Sequence, residues 1–282
     1  GIKKEDTMRD NQVNRNSNNQ NDDGDNVNAS LDKIEGKNAV FEALRSGREI
    51  NKLWVLNPAE GSHLDSSLAA ILSLANDRKI AVMRVPRQSL DRISTTHNHQ
   101  GVIAAVASHE YVEVSDIINV AKEADHAPLI VILDGLKDAY NLGSLLRISD
   151  AAGVDGIIIP KHRSIGLDSL VAKASAGAIE YVPVARVTNI AQTIRDLKDQ
   201  GFWVCGTDAS ATTMYDKADY SGSMAIVIGS EGEGMRSLVR ESCDFLVSIP
   251  MGGHVNSLNA AVAAGIVIFE ATKKRKEGEK RN

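Results

Sequence analysis

The sequence predicts an α/β protein in two parts, the second built on a mainly parallel sheet. Three observations carry that expectation. From Pro128 onward, short continuous apolar runs such as LIVIL, GIIIP, FWVCG and MAIVIG alternate with segments of helical period, the pattern of strands buried on both faces. A smaller set of strand and helix patterns fills residues 31–108. Every unusual glycine-bearing loop of the second part follows a strand, where open α/β sheets place their ligands.

Residues 1–30 are rich in Asn and Asp and nearly free of large apolar side chains, too polar to repay the entropy of ordering. We expect a disordered tail there; a cloning remnant and a natural extension both fit. Residues 31–108 read as a small α/β unit: a helix over KNAVFEALRSG, a strand at KLWVL, a helix over LDSSLAAILSLANDR, and strands at IAVMRV and GVIAAVAS. Residues 109–127, charged and irregular, read as a linker. Residues 128–282 hold the strand-then-helix rhythm, ending in a helix from Ser257 that is apolar nearly all round and therefore expected to be buried.

With 282 residues, 43% of them hydrophobic and 24% charged, the composition is that of an ordinary globular protein with room for two domains. Cys205 and Cys243 have no metal-ligand spacing, which reads as reduced thiols packed in a cytoplasmic protein. No apolar run approaches the roughly 20 residues that span a bilayer. A net charge of −5 argues against indiscriminate nucleic-acid binding, DNA included, so local patches must carry any RNA contact.

Three loops stand out. In LDGLKDAYNLGSLLRISDAAGVDG, Leu142, Leu145, Leu146, Ser149 and Ala152 share one helical face. Asn141 reads as the N-cap, Gly153 as the stop, and Arg147 falls on the opposite, polar face. MAIVIGSEGEGMRSL breaks from a strand into glycines, as phosphate cradles do, yet Glu231 and Glu233 put negative charge there. In VSIPMGGHVNSLNAAVAAG, Asn259 is a polar side chain beside an apolar helix and needs hydrogen-bond partners, while Asn256 and Ser257 suit capping.

Taken together, Asn141-Leu142-Gly143 with Arg147, then IGSEGEGM, then IPMGGHVNSLN resemble in order and spacing the three motifs of the SpoU (TrmH-like) RNA ribose 2′-O-methyltransferases of the SPOUT class. IEGKNAVFEAL and HNHQGVIAAV are similar to that family's N-terminal substrate-binding domain, which has a fold like a ribosomal protein. Within the family the resemblance is to the bacterial 23S rRNA guanosine 2′-O-methyltransferases (RlmB-like). Two departures lie beside the motifs: Ala139-Tyr140 where members often have Pro-His, and Ala261 where a serine is common.

The resemblance implies a C-terminal trefoil-knot methyltransferase domain, S-adenosylmethionine as cofactor, RNA as substrate and a homodimer with its sites near the subunit contact. It implies cofactor contacts at Thr207, Gly229, Ile249, Met251 and Leu258, and catalytic positions at Asn141, Arg147, Glu231, Ser257 and Asn259. The methyl donor is already activated by its positive charge, so the protein must supply alignment and ease loss of the hydroxyl proton. A guanidinium is effectively always charged, which disfavours Arg147 as a base. We expect Arg147 to hold an RNA phosphate and stabilise the alkoxide, Glu231 and Asn141 to fix the guanidinium, and Ser257 and Asn259 to order the loops.

His254 competes as a base, and His97 and His99 suit turn structure or RNA contact better than a metal pair. Arg78, Lys79, Arg84, Arg87 and Arg92, with Arg45, Arg48 and Lys52, form two basic groups that fit either an RNA surface or a solvated one. Trp54 and Trp203 read as core. A nucleotide-binding oxidoreductase lacks its GxGxxG, and the acidic turn would repel a pyrophosphate. The readings left beside the 23S rRNA enzyme are a tRNA 2′-O-methyltransferase and a non-catalytic rRNA-binding assembly or resistance factor.

Overall fold

The computed structural model describes residues 32–58, 65–124 and 126–279; the tail expected over residues 1–30 lies outside them. The first unit runs β1 (Lys33–Glu35), α1 (Lys37–Arg45), β2 (Ile50–Leu56), α2 (Ser66–Asp77), β3 (Ala81–Val85), α3 (Arg87–Ile93) and β4 (Val102–Val106). Its sheet has the order β1-β4-β2-β3, with only β2 and β3 parallel. Alternation along β2 sends Leu53 and Val55 to a core with Val40 and Ile71, and Trp54 to a second core with Leu90 and Ile103.

The stretch expected as a linker is more than that. Within it α4 (Val114–Glu123) buries Ile117, Ile118 and Ala121 against the large sheet. Its apolar residues recur at helical spacing, and the charges around them mask the stripe. Gly156 makes room for it, since a Cβ there would lie 2.6 Å from Ile117.

The second unit continues with β5 (Leu129–Asp134), α5 (Ala139–Ala152), β6 (Gly156–Pro160), α6 (Ser169–Ala174), β7 (Val184–Val187), α7 (Ile190–Asp199), β8 (Trp203–Thr207), β9 (Met224–Gly229), α8 (Ser237–Ser242), β10 (Phe245–Val247) and α9 (Ala260–Glu279). All six strands are parallel, in the order β10-β8-β9-β5-β6-β7, with a separate core on each face. The chain steps outward from β5 to β7 and then returns to the far side of β9. Strand order therefore reverses between β5 and β9, and the crevice at their carboxyl ends is the place for a ligand.

Two burial expectations change. Trp203 is 59% exposed, because it opens β8 on the outward face, whereas Trp54 is buried as expected. The last helix starts at Ala260 rather than Ser257, and it is not covered all round: Val262 and Phe269, seven residues apart on one side, are 52% and 49% exposed. Among the described residues no helix is long and apolar enough to cross a membrane.

The two units meet at a polar joint. Arg186 of β7 stacks its guanidinium 3.9 Å above the Tyr111 ring and donates to Ile50 O and to Glu49. The Tyr111 hydroxyl donates to Asn51 Oδ1 and accepts from the Leu167 amide, while Asn51 Nδ2 donates to Leu167 O. Burial pushes the Tyr111 hydroxyl up to about 12, so it keeps its proton and its donor role at neutral pH.

Candidate active site

The three motif loops converge at the carboxyl edge of the large sheet. Asp138, not Asn141, caps α5: its carboxylate accepts the Asn141 amide at 2.8 Å, and the helix starts at Ala139. The Asn141 side chain is therefore free to point away from its own helix end. Gly153 closes the helix in the left-handed conformation, as expected. Gly143 has a role the sequence did not disclose, because a Cβ there would lie 2.8 Å from the Ala174 carbonyl carbon of α6.

After β9 the chain turns back sharply on itself. Ser230 and Gly234 exchange backbone hydrogen bonds of 3.0 Å in both directions, with Gly232 and Gly234 at φ 80° and 70°. A Cβ on Gly229 would lie 2.5 Å from the Met235 amide nitrogen. Gly252 and Gly253, by contrast, have open space where a Cβ would go, so no close approach explains them among the described residues.

Glu231 leaves this turn to meet two amides. Its Oε1 accepts from Asn141 Nδ2 at 2.5 Å and from Asn259 Nδ2 at 3.0 Å. Asn259 Nδ2 also lies 2.9 Å from Asn141 Oδ1. Asn259 stands just before α9, and its Oδ1 accepts the Ala261 and Val262 amides, so one side chain caps the helix and joins the cluster. The capping expected of Asn256 and Ser257 thus falls to Asn259, and Ser257 is exposed at the cavity wall.

Arg147 is not part of that cluster. Six residues after Asn141, a helix has turned about 600°, which puts Arg147 on a different face. It is exposed, and no hydrogen bond or ion pair to it is present among the described residues. The expectation that Glu231 and Asn141 hold its guanidinium is not met in the single chain; they hold Asn259 and each other.

Beside the cluster lies a cavity of about 680 Å³, within the ordinary range for small-molecule sites. Thr207, Gly229, Ile249, Met251 and Leu258 all line it, as do Glu231, Ser257 and Asn259. Its walls suit a molecule with an apolar body and a positive centre: aliphatic side chains, exposed glycine backbone, and the carboxylates of Glu231, Glu233 and Asp208. The sequence reading missed Asp208, which follows β8 in a turn indistinguishable from an ordinary loop. Hydrogen bonds from Ser210, reinforced by Arg240, hold its carboxyl below the usual range against the effect of burial.

Other candidates take structural roles. His254 is exposed and does not line the cavity. His99 is buried, with Nε2 2.9 Å from Asp91 and Nδ1 accepting the Gly101 amide, which is a turn-forming role; no three-ligand metal cluster occurs among the described residues. Arg78 spends its donors on the carbonyls of Leu44, Gly47 and Arg48. Arg48, Arg84, Arg87 and Arg92 are exposed. The cysteines are free, and burial pushes the Cys243 thiol up to about 12, so it is inert at neutral pH.

Comparison with known proteins follows the same division. The family model described as the SpoU rRNA methylase family matches residues 128–269, and that for RNA 2′-O ribose methyltransferase substrate binding matches residues 33–112. YacO of Bacillus subtilis, described as a TrmH family tRNA/rRNA methyltransferase, is 49% identical over 244 residues, 86% of this chain and 96% of that protein. The structure of an rRNA methyltransferase from Sinorhizobium meliloti with bound AdoMet is similar at a TM-score of 0.54 and 27% identity, covering 86% of each chain. The SpoU methyltransferase AviRb of Streptomyces viridochromogenes, in complex with AdoMet, shares the fold at a TM-score of 0.55 and 23% identity, covering 87% of this chain and 91% of that one.

Proposed function

We propose, from the premise that the chain belongs to the SpoU rRNA methylase family of RNA 2′-O ribose methyltransferases, that it methylates the ribose 2′-hydroxyl of a guanosine in 23S rRNA. The observation that carries the catalytic reading is the meeting of Asn141, Glu231 and Asn259, from three separate loops, at the mouth of the glycine-walled cavity. Two amides from separate motif loops meet one Glu231 oxygen there, an arrangement that fixes a charge at the cavity wall.

S-adenosylmethionine, when bound, supplies an electrophilic methyl carbon on a sulfonium. Thr207, Gly229, Ile249, Met251 and Leu258 would hold it, with backbone groups reading the adenosine and carboxylates at the cavity wall matching its positive centre. Glu231, fixed by Asn141 and Asn259, keeps its charge in one place without reorganising during the reaction. Ser257 orders the loop beside the ribose. Arg147, exposed and without a partner among the described residues, binds an RNA phosphate and stabilises the developing alkoxide; its planar fork suits both tasks.

The exposed line of Val262 and Phe269 on α9 supports a homodimer, because a second copy would cover an apolar stripe that the single chain leaves in water. The same reading takes the methyltransferase domain as a trefoil knot, the substrate-binding domain as the RNA grip, and the cytoplasm as the place of action. A tRNA substrate is the second reading, favoured by the tRNA/rRNA description of the B. subtilis relative. Transfer of labelled methyl from S-adenosylmethionine, followed by mapping of 2′-O-methyl positions in rRNA and tRNA from a strain lacking the protein, separates them. Cofactor binding without transfer to either RNA would sink the enzyme reading.

A further inference from the structure

The turn that walls the cavity is closed on itself by the Ser230–Gly234 backbone pair, which does not tie it to the sheet. Residues 229–236 include three glycines, two of them at positive φ, and a backbone so free costs entropy to hold in one shape. Beside the Glu231 bonds to Asn141 and Asn259, a second anchor lies at its far end. Arg236 donates its backbone N–H to Asp134 Oδ2 at 2.8 Å and its Nε and Nη2 to Asp134 Oδ1 at 2.8 Å and 2.5 Å. The Asp134 side chain is 0% exposed, and that residue ends β5 in register with Gly229 of β9.

We propose that Asp134 and Arg236 are positioning residues for the methyl-donor site, acting through the loop between Gly229 and Arg236. The inference rests on the reading of the cavity as the S-adenosylmethionine site. Three features distinguish this pair from an ordinary ion pair. It grips the main chain as well as a side chain, so it sets the path of the backbone. It sits at the reversal of strand order, tying the end of β5 to the start of α8, which follows β9. The segment it anchors folds directly over Gly229 and carries Glu231, so its release would shift a cavity wall and the carboxylate that holds Asn141 and Asn259.

The pair does not touch the cavity, since neither residue lines it, and its effect must therefore appear as altered cofactor affinity rather than as a lost contact. A forked, charge-assisted pair is also specific to arginine; lysine keeps the charge and loses the second hydrogen bond.

The test is calorimetric titration of the full chain with S-adenosylmethionine, beside RNA binding and thermal melting, for wild type, Arg236→Gln and Arg236→Lys. Arg236→Gln is expected to weaken S-adenosylmethionine by about tenfold or more while RNA affinity stays within about twofold, with Arg236→Lys between it and wild type. If Arg236→Gln fails to fold, Arg236→Lys carries the same comparison. Unchanged cofactor affinity in a folded variant would overturn the proposal, as would an RNA defect equal to the cofactor defect, which would make Arg236 a phosphate contact instead. Wild type that binds no S-adenosylmethionine would overturn the cavity reading and this inference together, whereas wild-type binding with unchanged variants overturns the inference alone.

Discussion

Glu231 Oε1 and Asn141 Nδ2 lie 2.5 Å apart, although 90 positions separate the two residues in sequence. That bond, shared with Asn259, joins the loop after β9 to the first turn of α5 and to the start of α9. Glu231→Ala leaves Asn141 Nδ2 without its acceptor and Asn259 Nδ2 with Asn141 Oδ1 alone. Methyl transfer is expected to fall by about a hundredfold or more, and stability by only about 1 kcal/mol because the site borders solvent. Labelled-cofactor turnover and a thermal melt on the same preparation check both halves.

Arg147 should show the opposite balance. Being exposed and unbonded among the described residues, it contributes little to folding, so Arg147→Ala and Arg147→Lys should melt like wild type. Turnover should drop by about 10²–10³ for alanine, with lysine recovering only part. Near-normal turnover in Arg147→Lys would make a planar, bidentate role untenable.

Gly143 sets how closely α5 approaches α6. A methyl group there meets the Ala174 carbonyl carbon and the Ser175 nitrogen at 2.8 Å and 2.9 Å, both backbone atoms that cannot swing aside. Gly143→Ala should destabilise the fold by about 1–3 kcal/mol despite alanine's better helix propensity. Denaturant titration gives the difference.

The stripe of Val262 and Phe269 carries the dimer proposal. The double substitution Val262→Asp, Phe269→Asp should give a folded monomer, because two carboxylates on that face cannot be desolvated without cost. Sedimentation of both proteins decides it: a wild-type monomer at micromolar concentration would remove the proposal.

Glu35 predicts a pH effect in the small unit. Burial pushes its carboxyl up, but hydrogen bonds from Ser94, Thr96 and Thr95 outweigh this and bring it down to about 2 from an ordinary 4.5. The folded value lies below the unfolded one, so the stabilisation is complete above about pH 4.5 and is lost as pH falls through about 2. Glu35→Gln should flatten the acid-denaturation curve across that window and lower neutral-pH stability by about 1–2 kcal/mol. Thermal melts from pH 2 to pH 7 follow both effects.

The large sheet was legible because its strands are uninterrupted apolar runs, and the motif loops because glycines and acids interrupt them. The elements missed are those with weak local signals: β1 has three half-buried residues, α3 is only 7 residues long, and the charges flanking Ile117 and Ile118 conceal α4. Periodicity correctly gave the buried face of α5 and the outward direction of Arg147. It could not give the partners of Asn141, because Asp138 takes over the cap and which loop meets which is decided by strand order. Trp203 misled for a related reason: an aromatic at the first position of a strand can face either way, and the alternation begins only with it.

Asn259 is the last of the polar cluster in chain order, and it lies beyond the ten strands of the described residues. A nascent chain elongated only as far as Ser248 holds every strand of both sheets and the acidic turn, yet it has neither the second amide on Glu231 nor the cap of α9. Translation therefore delivers every strand before it delivers a working centre, and a chain ended anywhere from Ser248 to Leu258 lacks both the residue that closes the site and α9, whose Ala264, Val267 and Ile268 belong to one core of the large sheet.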